Sequence, residues 1–186
     1  MRSRLFSLAL PVVAFFALCA LPIRAIQVRN RISSAISNNS RVPLEHAVPI
    51  RARRSTDLGA APADRALTNL SLRFNMTAAQ QADLTQLLSD QLNPNSPSYH
   101  KWLTPEQFGA RFGMSASDIA KVSNWLTSQG FKITGTARSS TFITFTGSVA
   151  QAEKAFGTNI HTLSFNGETH FSNMTDPALP SAIANV

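Results

Sequence analysis

The stretch SYHKWLTPEQFGARFG, residues 98–113, joins an aromatic loop to the start of a helix. Its TPEQ segment places a hydroxyl at the N-cap, a proline at the first helical position and a glutamine at the third, which is a capping box. Phe108 and Phe112 then lie on one side of the helix. Gly113 can end the helix in a left-handed conformation. The stretch therefore predicts a short, capped helix that packs two phenylalanines against a core.

Upstream and downstream of this stretch, the patterns alternate between strand and helix. Residues 66–74 alternate apolar and polar side chains with the period of a half-buried strand. A helix beginning at Thr77 and another capped by Ser115 each carry one apolar face. The residues predicted to face inward are Leu84, Leu87, Leu88 and Leu92 in the first helix, and Ile119, Val122, Trp125 and Leu126 in the second.

The rest of the chain completes an α+β order. Residues 131–137 and 141–147 are rich in β-branched and aromatic side chains and predict an antiparallel hairpin. A helix capped by Ser148 follows, and the last strand, residues 159–165, turns back at an Asn-Gly pair. The order β-α-β-β-α-β with an added C-terminal hairpin predicts a ferredoxin-like antiparallel sheet with helices on one face.

The amino terminus predicts export from the cell. Two arginines precede an apolar stretch, residues 5–21, and a proline and a small residue follow it, which predicts a signal peptide over residues 1–25. Pro11 interrupts the stretch, which is shorter than the roughly 20 residues that span a bilayer, so no stable membrane anchor is expected. Cleavage would remove Cys19, the one cysteine, and leave no disulfide or thiolate metal site. The predicted location is extracellular or periplasmic.

The net charge of +7 does not indicate nucleic-acid binding. Six arginines lie in residues 26–59, whereas from residue 60 onward eight basic side chains balance eight acidic ones. A phosphate-binding surface needs clustered positive charge on a folded face. Residues 26–65 are therefore interpreted as a flexible Arg/Ser/Asn-rich leader. Its alternative role is contact with an acidic partner surface.

One family shares this pattern of motifs. The stretch at residues 98–113, the run WLTSQGFKITGTARSSTFITFTGSVAQAEKAFGTNIHTLSFNGETHFSN at 125–173 and the tail DPALPSAIANV at 176–186 resemble the activation pro-domain of sedolisins. Sedolisins are the serine-carboxyl peptidases that include kumamolisin. The resemblance covers residues 67–186. It implies a pro-domain at residues 66–174, followed at 175–186 by the start of a linker to a catalytic domain.

The resemblance also implies a function. A sedolisin pro-region acts as an intramolecular chaperone and inhibitor of the peptidase domain until acid-triggered proteolysis removes it. The implied partner is therefore a sedolisin-type catalytic domain, in cis or in trans. A free-standing secreted binding module, or a protease inhibitor acting in trans, is the alternative. Whether the chain is part of a longer precursor or a separate product stays open.

No residue of the chain is assigned a catalytic, cofactor-binding or metal-binding role. The sequence shows no nucleophile motif and no glycine-rich phosphate loop, and its four histidines never occur at the i, i+4 spacing of a helical metal site. The glutamate, aspartate, serine and calcium site of active sedolisins belong to a downstream domain and match nothing here. Any serine-type endopeptidase activity would therefore reside in that domain.

The resemblance implies that the outer side of the sheet and the tail contact the partner. Tyr99 and Trp102 have an alternative role as anchors of their own loop, Phe142 as a core residue, and Lys101 as an ordinary solvated charge. The candidate contact residues are Tyr99, Lys101, Trp102, Phe142, Glu168, His170, Asp176 and Leu179.

Acid activation of the family implies an acid sensor in this chain. Protonation of His100, His161 and His170 below about pH 6 is the hypothesis, because unperturbed histidine titrates there. Glu168 and Asp176 are the competing sensors.

Overall fold

The computed structural model describes residues 28–186, in which five helices and eight strands follow one another. The predicted signal peptide, residues 1–25, lies outside the described residues. The helices are α1 (Ile50–Arg53), α2 (Ala78–Leu92), α3 (Pro105–Phe112), α4 (Ala116–Ser128) and α5 (Val149–Phe156). The strands are β1 (Arg41–Pro43), β2 (Thr56–Ala60), β3 (Ala66–Arg73), β4 (Lys132–Thr136), β5 (Phe142–Ser148), β6 (Ile160–Phe165), β7 (Glu168–Asn173) and β8 (Ala178–Pro180).

The strands form antiparallel sheets, which confirms the predicted α+β class. One sheet has the order β3-β5-β4 and a second has the order β2-β6-β7, while β1 and β8 pair as a separate ribbon. The predicted order of elements is therefore present, but β6 joins β2 instead of the sheet that contains β3. The reason is that β2, which the sequence did not predict, supplies β6 with a pairing edge.

The core lies between β5, α4, α5 and the last residues of the chain. Leu126, Ile143 and Val149 are fully buried within it. The ring of Phe131 packs 5.0 Å from that of Phe145 and 5.6 Å from that of Phe156, measured between centroids. The predicted inward face of α4 is confirmed at Val122, Trp125 and Leu126, which are all buried.

Helix α3 begins as predicted and ends differently. The capping box is present: the Thr104 N–H donates to Gln107 Oε1 at 2.8 Å, and the Gln107 N–H donates to Thr104 Oγ1 at 3.2 Å. The left-handed prediction for Gly113 is wrong, because its φ is −81°. A glycine fits there for another reason, since a Cβ atom would lie 2.6 Å from the carbonyl oxygen of Ser139.

The turn between β4 and β5 rests directly on α3. A Cβ atom at Gly109 would lie 2.8 Å from the carbonyl carbon of Ser139 and 3.1 Å from the carbonyl oxygen of Arg138. The Met114 N–H also donates to the carbonyl oxygen of Ser140 at 2.9 Å. Gly109 and Gly113 therefore allow the turn between β4 and β5 to lie against the backbone of α3.

The structure differs from the predicted flexible leader. Ile32 is 1% exposed and belongs to the core. The fully buried carboxylate of Asp118, in the first turn of α4, accepts the backbone N–H groups of Arg31 and Ile32. Further along, β1 pairs with β8 and β2 pairs with β6. Residues 31–60 are thus an integral part of the fold.

Candidate partner-binding surface

The eight candidate contact residues lie in four separate places. Tyr99, Lys101 and Trp102 lie in the loop between α2 and α3, and Phe142 lies on β5. The remaining candidates lie in the C-terminal third of the chain: Glu168 and His170 on β7, and Asp176 and Leu179 in the segment that contains β8. The structure therefore brings together three of the eight, and the loop after α2 is where they meet.

That loop forms part of an exposed apolar patch. We define the α2-end patch as Leu88, Leu92, Tyr99 and Trp102, whose exposed fractions are 51%, 71%, 37% and 64%. The predicted inward orientation of Leu88 and Leu92 is therefore wrong. The buried positions in the last turns of α2 are Leu87, as predicted, and Gln91, at 3% exposure. Large apolar side chains exposed together at one end of a domain are a common feature of protein–protein contact sites.

Gln91 holds the loop against the end of α2. Its side-chain Nε2 donates to the carbonyl oxygen of Lys101 at 2.5 Å, and its backbone carbonyl accepts the His100 N–H at 3.1 Å. The loop therefore covers the side of the helix that carries Gln91 and leaves the two leucines exposed. Because Gln91 lies between Leu88 and Leu92 in sequence, the aromatic residues of the loop and the leucines occupy the same end of the domain.

The aromatic side chains of the loop are stacked in a row. The ring of His100 lies 3.8 Å from that of Tyr99 and 6.2 Å from that of Trp102, centroid to centroid. His100 has a φ of +53°, in the left-handed region that few non-glycine residues adopt. The two hydrogen bonds to Gln91 fix this conformation. The patch is therefore ordered before any partner binds, which reduces the entropy cost of binding.

Phe142 belongs to a second, more polar surface. It lies opposite Arg73 in the β3–β5 pairing, and the guanidinium of Arg73 lies over its ring, 5.2 Å from the centroid. On the same strand, Thr144 Oγ1 accepts a hydrogen bond from Thr134 Oγ1 at 3.0 Å. Ile143 and Phe145, in the opposite phase, are buried. Phe142 is therefore on the outer face of the sheet, half-buried beside a charged side chain.

Glu168 and His170 contact the segment that contains α1. Glu168 Oε2 is 3.1 Å from Nη2 of Arg51 in an exposed ion pair. His170 Nε2 is 3.2 Å from Ser55 Oγ, which itself donates to the carbonyl oxygen of Arg51 at 2.8 Å. The Ser55 hydroxyl hydrogen is thus used on Arg51, and the Ser55 oxygen can accept from the His170 ring when Nε2 carries the proton. His170 Nδ1 is buried and has no hydrogen-bond partner among the described residues.

Asp176 and Leu179 serve the fold of the domain itself. The Asp176 carboxylate accepts the backbone N–H groups of His46, Ala47 and Val48 at 2.8–3.1 Å. Leu179 is buried in the core. The C-terminal tail therefore packs against the leader. This differs from the start of a linker that was expected at residues 175–186.

Two ion pairs hold α3 in place. Arg111 forms two hydrogen bonds with the Asp83 carboxylate on α2, and these lower the pKa of Asp83. Glu106 pairs with Arg138 in the turn between β4 and β5, and this contact lowers the pKa of Glu106. Both carboxylates are therefore ionised at neutral pH and tie α3 to its two neighbours.

Within residues 28–186, no group of three or more His, Cys, Asp or Glu side chains has the geometry to hold a metal ion. Over the same range, every helix is too short or too polar to cross a lipid bilayer.

Comparison with known proteins identifies related sequences. Residues 53–186 match the family model described as Pro-kumamolisin, activation domain. The chain is 30% identical over 95 residues to a probable tripeptidyl-peptidase SED4 of Arthroderma benhamiae, an alignment that covers 51% of the chain and 16% of the relative. It is 30% identical over 102 residues to xanthomonalisin of Xanthomonas sp. strain T-22, covering 55% of the chain and 12% of the relative. It is 26% identical over 92 residues to aorsin of Aspergillus oryzae, covering 48% and 14%. The chain thus spans less than a fifth of each of these relatives.

Proposed function

The chain belongs to the pro-kumamolisin activation-domain family, and from this premise we propose that it is the pro-region of a secreted serine-carboxyl peptidase. It assists the folding of the peptidase domain and inhibits it until acid-triggered proteolysis removes the pro-region. The observation that carries the proposal is the family match, which begins just before β2 and continues to the last residue. The relative named as a probable tripeptidyl-peptidase supports the same assignment. Residues 1–25 direct the export that brings the chain to its place of action.

The α2-end patch is the proposed docking surface for the peptidase domain. Burial of apolar area contributes roughly 25 cal/mol per Å², and the four large side chains of the patch are exposed in the isolated chain. Trp and Tyr are also the side chains that most often dominate binding energy at interfaces. Lys101 lies between these aromatic residues and can pair with a carboxylate at the rim of the interface.

The test of the proposed function is titration of the full chain into an active sedolisin-type catalytic domain at mildly acidic pH, with peptide hydrolysis as the readout. Inhibition that is lost at lower pH supports the proposal. A second arm measures how much active enzyme is recovered when the catalytic domain refolds with and without the chain. A chain that is folded by circular dichroism but neither inhibits nor assists refolding overturns the proposal and favours a binding module with another partner.

Trp102→Ala is expected to weaken inhibition about thirtyfold, because the loss of an exposed aromatic anchor at an interface costs about 2 kcal/mol. Leu92→Ala should weaken it about tenfold. The melting temperature should not change in either variant, since both side chains are largely exposed. Leu58→Ala is the matched control, because Leu58 is 56% exposed but lies on β2, outside the patch. If Trp102→Ala still inhibits fully, the α2-end patch is not the docking surface. The outer face of the sheet is then the candidate, and Phe142→Ala should weaken inhibition.

Histidine protonation is one proposed source of acid release. His100 lies within the row of rings next to the α2-end patch, so its protonation would place a charge at the docking surface. His161 Nδ1 is 2.8 Å from Asp57 Oδ2, and its pairing helps to lower the pKa of Asp57 after the larger effect of the Gly59 N–H. If His100, His161 and His170 are all replaced by glutamine and the pH of release does not move, histidine is not the sensor.

Acid is also expected to loosen α3. The lowered pKa values of Asp83 and Glu106 mean that their ion pairs stabilise the fold at neutral pH, and this contribution is lost as the pH falls through the lowered values. Arg111→Gln should therefore destabilise the chain by about 0.5 kcal/mol at pH 7, since the pair is partly exposed. The difference from the unmodified chain should shrink at pH 3. Urea unfolding at both pH values measures this, and an equal difference at pH 7 and pH 3 would contradict it.

A further inference from the structure

An apolar cavity of about 450 Å³ lies beside β3, in the size range of protein ligand pockets. One side is formed by β3 itself, through Leu70 and Leu72, and the other by the leader and the C-terminal segment. The remaining apolar lining residues are Leu44, Phe145, Phe156, Pro177, Leu179, Ile183, Ala184 and Val186. The cavity is partly open to solvent.

The strand next to the cavity has an unpaired edge. β3 is the outermost strand of its sheet and pairs only with β5 within the described residues. The Phe74 N–H donates to the carbonyl oxygen of Thr141 at 2.9 Å. In an antiparallel pair, every second residue directs its backbone N–H and C=O groups to the partner strand. The backbone N–H and C=O groups of Leu70 and Leu72 therefore pair with β5, while those of Ser71 and Arg73 point to the open edge. No described residue forms a hydrogen bond with these four groups.

The β3 edge beside the cavity also carries a positive charge, which lies on the outer face of the sheet. Arg73 is the charged side chain among the described residues that line the cavity, and it forms no ion pair in the part of the chain that the structure describes. Its guanidinium lies over Phe142 on the outer face of the sheet and remains exposed. An acidic residue near one end of a bound segment would meet this charge.

We propose that this cavity is a binding site for one extended segment of a partner polypeptide, which adds to β3 as a new edge strand. The segment pairs its backbone with Ser71 and Arg73, places an aliphatic side chain in the cavity and carries an acidic residue near Arg73. Backbone pairing supplies affinity in such strand addition, and the side-chain cavity supplies selectivity. The site is built entirely from residues 44–186 of this chain and does not depend on the peptidase assignment.

The walls of the cavity favour a single strand over a second copy of this chain. Leu44, Pro177 and Leu179 face β3 across the cavity, so the incoming backbone lies between two surfaces of the same molecule. A single extended segment fits such a slot. A second folded sheet does not fit, because its helices and neighbouring strands need more room than the slot leaves. The apolar lining also explains why the occupant carries an aliphatic side chain, because a polar one would be buried there without a partner.

The test uses the full chain and the capped peptide acetyl-Glu-Val-Leu-Val-Glu-amide as the probe. Binding is measured by fluorescence anisotropy of a labelled copy, and hydrogen exchange is followed at the Ser71 and Arg73 amides. We expect exchange at both amides to slow on binding. A peptide of the same sequence with N-methyl groups on the backbone nitrogens that pair with β3 should bind at least about tenfold more weakly, because its side chains are unchanged but its donors are lost.

Two variants of the chain separate the cavity from the rest of the surface. Ala184→Leu adds bulk to the cavity lining and should weaken peptide binding at least fivefold, whereas the matched change Ala82→Leu, at an exposed position of α2, should not alter it. Equal binding of the N-methylated peptide, or no change in exchange at Ser71 and Arg73, would overturn the proposal. Sedimentation that shows a dimer whose β3 amides are already protected would also overturn it, in favour of self-association.

Discussion

Asp118→Ala is expected to lower the free energy of unfolding by about 3 kcal/mol, because each buried N–H left without an acceptor costs about 1–3 kcal/mol. The Asp118 carboxylate is fully buried and accepts the backbone N–H groups of Arg31 and Ile32, which lie more than 80 residues earlier in the chain. Alanine leaves both N–H groups without this acceptor, that of Ile32 in the buried interior and that of Arg31 at its partly buried edge. Urea unfolding of the full chain measures the loss.

Three further variants make this prediction specific. Asp64→Ala removes an exposed carboxylate that forms no ion pair among the described residues, and it should change stability by less than about 0.5 kcal/mol. Ile32→Ala should cost about 3 kcal/mol by leaving a cavity in the core. Because both changes release the same segment, the double variant should lose clearly less than the sum of the two. Simple additivity would mean that Asp118 does not hold the leader in place.

Gly109→Val is expected to be about as destabilising, at about 3 kcal/mol, because overpacking against a rigid backbone costs about 1–3 kcal/mol and valine also fits a helix poorly. The atoms that a side chain would meet are the carbonyl groups of Arg138 and Ser139, and backbone atoms cannot rotate away as a side chain can. The hairpin turn must therefore move off α3. Thermal unfolding of the full chain measures the effect.

Ala110→Val is the control for this second prediction. Ala110 is the next residue of the same helix and is exposed, so valine there costs only its helix propensity, about 0.5 kcal/mol. The difference between the two variants isolates the contact with the turn. The Met114 amide, which donates to Ser140, should also exchange faster in Gly109→Val. Equal stability of the two variants would show that the turn accommodates a side chain.

The parts of the fold that could be predicted from the sequence depend on neighbouring residues. Helix starts at Thr104, Ser115 and Ser148 are confirmed because a side-chain cap acts within three residues of its position. The buried face of α4 is confirmed because a periodic apolar face needs only some partner surface, not a particular one. Antiparallel pairing of β4 and β5 follows from two adjacent strand patterns and a short turn.

The parts that could not be predicted depend on distant residues. The leader has no apolar period, and the burial of Ile32 is decided by Asp118 and the core that surrounds it. Gly113 carries a helix-ending signal, but its requirement for glycine comes from a turn some 25 residues later.

The candidate surface was only partly visible in the sequence for the same reason. Tyr99 and Trp102 could be chosen as aromatic loop residues, but their exposure depends on how the loop returns to α2. Leu88 and Leu92 were predicted to be buried, since leucines at this spacing ordinarily form an inward face. The available signal was Gln91, which follows Leu84 and Leu87 on one helical face and showed that the buried face includes a polar side chain. That glutamine directs the loop over its own side of the helix.

The pairing of β1 with β8 also has a consequence for how the chain reaches its folded state. Arg41 lies opposite Pro180, and the Arg31 guanidinium bonds to the carbonyl oxygen of Asn185, so the two ends of the described chain meet. Contacts between residues so far apart slow folding, because a large loop must close before they form. During synthesis, β1 stays without its partner strand until residues 178–180 have left the ribosome. Docking of the leader onto the C-terminal segment is therefore a late step in the folding of the described residues.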